Sequence, residues 1–424
     1  MRTFLLSLAG TVVGLFVFLV LVAGLLIGLI GAVSQGEPEP DRIALTLDLR
    51  ADYADQAPVR GFAALSGEIG FVDLVSRIAA AANDDSVKVL YLRGAPFGPG
   101  SARAEELRDA IQRFQAAGKP VIAHTQGSIL LSSPSSYRAI AAADEIWLQP
   151  DGDLTMTGVA FESVFLADLL ERIDVTADLL KFGDYKTAPN TYTETDYTAP
   201  HRESLAALGE TVWQATLDDI AADRGIAPDR LRAALEAGPI PAEAARSLGL
   251  VDQLGWPEDA MEAVKAVGDG LTFLDIGKYS PPPAPVGAPK IAIIGGEGPI
   301  LEGPGESDPF ASTIGFGSDR VAESFLSAMR DDDIQAIVFR IDSPGGSPTA
   351  SDQVWNAMRT AQERDIPVVV SMGSVAASGG YYVAAGADRI VANRSTITGS
   401  IGVYGGTLAI AHGLRRLGIN RPTL

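Results

Sequence analysis

Hydrophobic and polar positions along this 424-residue chain fall into two regimes. Residues 5–33 form one apolar run, and no charge occurs from Thr3 to Gly36. After it, short apolar or alternating runs trade places with amphipathic stretches. The first run exceeds the ~20 residues needed to cross a bilayer. It is also longer than the about 7–15 apolar residues of a cleavable secretory signal. Ala32-Val33-Ser34 is a mediocre cleavage site, so an uncleaved membrane anchor is expected. Arg2 precedes the run while Glu37, Glu39 and Asp41 follow it, which by the positive-inside rule puts the N-terminus in the cytoplasm and the bulk outside.

The second regime predicts alternating strands and helices. Strands are expected over 42–49, 87–93 and 121–125, with helices over 74–82 and 102–117 between them. Such alternation indicates an α/β architecture. Further on, Val368-Val369-Val370 reads as a buried strand, followed by small residues from Gly373 to Gly380 and a helical pattern through Tyr381, Val383, Ala384 and Ala387.

The order repeats. Residues 87–93 match 334–340, and the helix ending at Gly118-Lys119-Pro120 matches one ending at Asp365-Ile366-Pro367, both at an offset of 247 residues. Ala143-Asp144-Glu145-Ile146 matches Ala387-Asp388-Arg389-Ile390 at an offset of 244. Two α/β units of one ancestry are the simplest account, joined by the stiff, Pro-rich segment 281–289. The expected organisation is therefore an anchor and flank over 1–36, a first unit over 37–280, the linker, and a second unit over 290–424. At the later offset Leu424 falls on Leu180, so the first unit's residues 181–279 have no counterpart and the second unit reads as truncated.

Composition narrows the function classes. A net charge of −20 argues against nucleic acid and against an electrostatic grip on anionic lipid. With no cysteine, disulfides, thiol catalysis and Cys-ligated metals are excluded, and no metal-ligand spacing appears.

Candidate chemistry gathers where the strand after Ile366 gives way to a helix. Ser378 sits at that junction, where glycines let a substrate backbone approach and a helix start offers free N–H groups. The ordinary alternative is a serine N-cap. The repeat weighs against it. Ser378-Gly379-Gly380 falls on Pro134-Ser135-Ser136, and Asp342-Ser343-Pro344-Gly345-Gly346 falls on Ala95-Pro96-Phe97-Gly98-Pro99, so the first unit lacks both the serine and the glycine pair. A serine used only as a cap would not need a glycine pair on a separate loop. Gly345 and Gly346 are accordingly candidates for an oxyanion hole, with Pro344 pre-setting the turn. The base is less legible. His124, His201 and His412 are the three histidines, each better read as structural or exposed, and no G-x-S-x-G or H-E-x-x-H motif is present. A lysine lowered in pKa by burial is the remaining option. Between Pro120 and Asp259 only Lys181 and Lys186 occur, and on composition alone Lys186 would be an ordinary surface residue.

Four motifs, Gly183-Asp184-Tyr185-Lys186-Thr187-Ala188, Asp342-Ser343-Pro344-Gly345-Gly346, Ala377-Ser378-Gly379-Gly380-Tyr381 and Thr398-Gly399-Ser400-Ile401-Gly402, stand in this order. With the N-terminal apolar run, they make the chain resemble the signal peptide peptidase A family, in its long tandem-domain Gram-negative form. The resemblance implies two ClpP/crotonase-like units after a transmembrane helix and a Ser/Lys-dyad protease, with Ser378 as nucleophile and Lys186 as base. Ser400 and Thr398 are candidates to orient the lysine, turn packing being the alternative. The resemblance further implies signal peptides or other unstructured peptides as substrates, no cofactor, a homo-oligomer, and an inner-membrane location with the catalytic part facing the periplasm. This chain departs from the pattern in length, the family's tandem form being longer, and in Pro189-Asn190-Thr191, which replaces a more acidic stretch. Two other classes compete. One is a crotonase-like acyl-CoA enzyme, for which Asp342 would be the acid/base candidate. The other is an inactive membrane scaffold.

Overall fold

The computed structural model describes residues 40–57, 67–127, 134–156, 158–305 and 315–420, together with residues 13–15, 17, 18, 20, 21 and 24. The chain divides into two compact units, residues 1–41 and 42–424. In the first, the described positions between 13 and 24 are helical and exposed. Among the described residues no helix is long and apolar enough to cross a membrane. Most of the expected anchor over 5–33 lies outside the described residues.

The second unit is a mixed α/β structure built on two parallel sheets. The strands of the first half are β1 (Ile43–Asp48), β2 (Val87–Arg93), β3 (Val121–Thr125), β4 (Glu145–Leu148), β5 (Asp153–Leu154), β6 (Thr176–Lys181), β7 (Ile240–Pro241), β8 (Gln253–Leu254) and β9 (Thr272–Asp275). Those of the second half are β10 (Lys290–Leu301), β11 (Gly315–Gly317), β12 (Ile334–Ser343), β13 (Val368–Ala377), β14 (Arg389–Val391), β15 (Ile397–Gly399) and β16 (Tyr404–Ala409). One sheet has the order β8-β4-β3-β2-β1-β9 and the other β11-β10-β12-β13-β14, with β15 also on β13. Every pairing within both is parallel. Parallel sheets with helices on their faces need apolar residues on both sides. That is why β3 is buried at every position and β2 at five of seven.

The helices follow from the same pattern. In Phe71–Ala82 the buried positions are Phe71, Leu74, Ile78, Ala81 and Ala82, one face at helical spacing. The helix Pro348–Gln362 opens with proline at its first position, and the Ser347 hydroxyl accepts the Ala350 N–H. Each sheet has its own apolar core, one centred on Leu45, Leu90 and Phe114, the other on Phe325, Phe339 and Val370.

Charge, rather than apolar packing alone, ties the two halves together. The Arg340 guanidinium on β12 grips the fully buried Asp55 through two bonds of 3.0 and 2.9 Å and reaches Glu106 at 2.9 Å. Arg103 meets Asp342 at 3.1 Å. Removing one member of such a buried pair strands its partner's charge, typically at a cost of about 3–5 kcal/mol.

Two differences from the sequence reading bear on the site. β13 runs on to Ala377, so the small residues expected to form a connection are strand. The reason is β15, which pairs with Val375, Ala376 and Ala377 after β14 has stopped at Ser371. The second difference is an antiparallel ribbon of β6 and β16, with Tyr404 opposite Lys181. This pairing links segments 228 or so positions apart and has no signature in either strand alone.

Candidate active site

β13 ends at Ala377 and the short helix Gly379–Ala384 begins at once, leaving Ser378 to make the turn. It does so at φ 53°, ψ −116°, a region that non-glycine residues avoid and that costs on the order of 1–3 kcal/mol. The conformation is pinned at both ends. Ser378 N–H donates to Gly399 O at 2.9 Å, and its carbonyl accepts the Tyr382 N–H at 2.8 Å. Its side chain makes no capping bond, so the N-cap reading fails at this residue. Instead Ser378 Oγ lies 3.0 Å from Lys186 Nζ.

Lys186 comes from the segment after β6. The β6–β16 ribbon and the Phe182 N–H bond to Val403 O at 2.9 Å hold that segment beside the chain leaving Ser400. The lysine is 3% exposed and its amine also contacts Ser400 O at 2.6 Å and Ser400 Oγ at 3.1 Å. Burial pushes its pKa below the ordinary lysine value, since the ammonium loses hydration. No carboxylate bonds the amine among the described residues.

The Asp342–Gly346 loop closes over the same turn. Gly345 has φ +97°, and a Cβ there would stand 2.5 Å from Gly379 N and 2.8 Å from Ser378 Cβ, so glycine alone fits. Its N–H is committed, donating to Ser343 Oγ at 3.1 Å. Gly346 differs. Ile300 takes the flanking groups, accepting from Ser347 N–H and donating to Gly345 O, which leaves the Gly346 N–H without an acceptor among the described residues. That nitrogen lies 3.1 Å from where a Cβ on Gly379 would sit. The N–H of Gly379, at the first helical position, also lacks an intrahelical acceptor.

The remaining candidates sort by geometry. Ser400 touches Lys186, whereas the Thr398 hydroxyl donates to Ala376 O at 2.8 Å and packs the turn. Asp342 is tied down, one oxygen accepting the Val375 N–H at 3.0 Å and the other meeting Arg103. That leaves it poorly placed for the acid/base role an acyl-CoA reading would need. His124 is buried in the first sheet against Gly255 O, His201 packs on Phe165 and Tyr197, and His412 is exposed. Sequence reasoning missed Ser343, whose hydroxyl is fully buried and holds the Gly345 amide. Its place in the Asp342–Gly346 motif was the available signal. Among the described residues no group of acidic or histidine side chains is placed to hold a metal.

On a parallel α/β framework, then, a serine at a strained strand-to-helix turn stands against a buried lysine amine. The sequence model of Peptidase family S49 matches residues 113–270 and 360–424. The chain is similar to Protease 4 of Salmonella typhi, 31% identical over 96% of this chain and 68% of that one. It is also similar to the chloroplastic serine protease SPPA of Arabidopsis thaliana, 28% identical over 90% of this chain and 56% of that one. The chain belongs to peptidase family S49, and it spans between about half and two thirds of the length of these relatives. A solved enoyl-CoA hydratase/isomerase from Marinobacter aquaeolei overlaps 46% of the chain and 66% of its own at 15% identity and a TM-score of 0.26, too loosely to bear on fold or function.

Proposed function

We propose that this chain is a serine endopeptidase in which Ser378 and Lys186 form the catalytic dyad. One observation carries the reading: a buried lysine amine 3.0 Å from the hydroxyl of a strained serine, with no carboxylate bonded to it among the described residues. A neutral amine has two N–H donors and one lone pair. Three oxygens surround Nζ, so the Ser400 carbonyl and hydroxyl take the two donors and the lone pair faces Ser378. Ser378 then gives its proton to Lys186 as Oγ attacks the peptide carbonyl. The amide N–H groups of Gly346 and Gly379 stabilise the developing oxyanion, Gly345 being engaged by Ser343. Lys186 passes the proton to the leaving amine, and water resolves the acyl-enzyme by the same route in reverse.

Unstructured peptides suit such a site, and left-over signal peptides are the proposed substrates. In this reading the residues 5–33 anchor the chain in the inner membrane with the catalytic unit on the periplasmic side. The two sheets are diverged copies of one ClpP/crotonase-like unit, and the chain works as a homo-oligomer. Labelling by a serine-directed fluorophosphonate tests the core of it. Wild type should be labelled at Ser378 and Ser378→Ala should not; labelling elsewhere, or hydrolysis by Ser378→Ala, would remove the dyad.

A further inference from the structure

Lys186 reaches the site from the first half of the chain directly, and a second residue of that half approaches it at one remove. β12 and β13 run in step from Ile337 beside Val368 to Ile341 beside Met372, and then Ser343 falls beside Ala376. A step of two residues on β12 is met by a step of four on β13, so β13 bulges over 373–375, immediately before the turn that carries Ser378. A bulge beside an active site re-aims the chain that follows it.

Asp342 is the β12 residue at this bulge. One carboxylate oxygen accepts the Val375 N–H at 3.0 Å, and a Cβ on Gly373 would stand 3.0 Å from Asp342 Cβ and Cγ, so the side chain fills the bulge. The other oxygen accepts from Arg103 Nη2 at 3.1 Å. Arg103 lies in the first turn of the helix Ser101–Ala116, with its side chain 16% exposed. Its Nη1 donates to Tyr53 O at 2.8 Å, and its guanidinium stands 5.6 Å from the centre of the Phe71 ring. Asp55 at 3.7 Å and Glu297 at 3.6 Å complete a ring of three carboxylates around it. Glu297 on β10 is the partner of Asp342 in register, so without Arg103 two like charges would face each other across neighbouring strands. Glu297 is held by the Asp55 N–H at 3.0 Å, which leaves Asp342 as the one to turn away and release Val375.

We infer that Arg103 is a positioning residue of this site. It holds the Asp342 carboxylate on the Val375 amide, and so fixes both the bulge that leads to Ser378 and the start of the loop that carries the Gly346 amide. The inference rests on the dyad reading and deepens it. The bonds of Arg103 go to Tyr53 and Asp342 rather than to the dyad, so its effect is on the alignment of Ser378 Oγ with the oxyanion amides. A misplacement of about 1 Å in such an arrangement costs up to about 10²-fold in rate.

The test uses the full chain and an unstructured peptide substrate. Arg103→Gln and Asp342→Asn should each lower kcat about tenfold with KM within about twofold, because alignment in the transition state is lost while substrate binding is not. The double variant should fall no further than the worse single one, since both break the same link. Arg77 is the structural control. It donates to the carbonyls of Ile276, Gly277 and Tyr279, and Arg77→Ala should lower Tm and keep kcat. Arg103→Lys keeps a positive charge among the three carboxylates, and so protects the fold, but lacks the second arm that reaches Tyr53; it should lower kcat at least about threefold. A wild-type kcat in Arg103→Gln, or in Arg103→Lys should the glutamine variant not fold, overturns the proposal and leaves the dyad standing. So do losses that multiply in the double variant, or an equal loss of kcat in Arg77→Ala. Hydrolysis by Ser378→Ala overturns the dyad, and this proposal with it.

Discussion

The start of the helix Pro134–Arg138 beside the first sheet and that of Gly379–Ala384 beside the second both meet a glycine loop, and they differ in what stands there. In the second, Gly345 presses on Ser378 and Gly379, and the neighbouring amide at Gly346 has no acceptor among the described residues. In the first, Gly98 approaches Ser136 just as closely, a Cβ there standing 2.6 Å from Ser136 Cα. The place of the serine is taken by Pro134, which has neither a nucleophile nor an N–H. The residues that follow have turned structural. Tyr137 O–H donates to Leu250 O, and Arg138, fully buried, pairs with Asp219 and Glu105 and donates to Ser395 Oγ at 2.8 Å. The first helix start therefore braces the second half, through a residue three positions before Thr398, while the second carries the serine and lysine of the proposed dyad. Close approach of loop and helix is common to both; reactivity needs the serine, the free amide and the lysine in addition.

The sharpest way to break this comparison is to disarm the second helix start. Ser378→Ala should lower kcat/KM for an unstructured peptide by at least about 10³-fold, and Lys186→Arg should lose as much as Lys186→Ala, because arginine cannot give up its charge. Ser374→Ala, four residues earlier on β13, should stay close to wild type. Substantial hydrolysis by Lys186→Arg would transfer the base to another group.

Next is the bracing role of the first helix start. Arg138→Ala removes the fully buried one of the two arginines that Asp219 and Glu105 share, Arg394 being the other, and should cost about 1–3 kcal/mol in urea unfolding. A loss below about 1 kcal/mol would mean that the first helix start does not brace the second half.

The pH profile sharpens the lysine's part. Its pKa is lowered from an ordinary value of ~10.4, and in the proposed mechanism the neutral form is the active one. Activity should therefore rise with pH through the lowered value and fall away on the acid side. The sign for stability is the same: the unfolded chain binds this proton more tightly, so the site destabilises the fold below the lowered pKa and ceases to do so as pH rises past the ordinary one. Ser400→Ala should move the acid limb, since it removes one of the three oxygens around Nζ. An unmoved limb would leave Ser400 in a packing role.

The smallest expected effect is at Ser343. Ser343→Ala frees the Gly345 amide and loosens the loop, and should reduce kcat by about tenfold with KM little changed. An equal loss in Tm and in KM would make the hydroxyl merely structural.

Much of this was legible in the chain itself. Strand runs such as VKVLYLR and VIAHT and the apolar face of Phe71–Ala82 are local patterns, and β2 and β3 stand where periodicity put them. The repeat, with its loss of glycines and serine in the first half, pointed to Ser378 before any fold was known. Lys186 was different. Composition made it an ordinary surface lysine, and only a family resemblance singled it out. Its burial comes from the β6–β16 pairing and from Ser400, 214 residues away in sequence. Gly345 and Gly346 looked equivalent in the chain, but a single hydroxyl separates a committed amide from a free one. Thr398 and Ser400, two positions apart, face different partners because the chain turns at Gly399 and Ser400, both at positive φ. Local periodicity is written in neighbouring residues and can be read from them. Which amide is left unpaired among the described residues and which amine is dehydrated depend on segments far apart in the chain, and those meetings were decided by the tertiary fold.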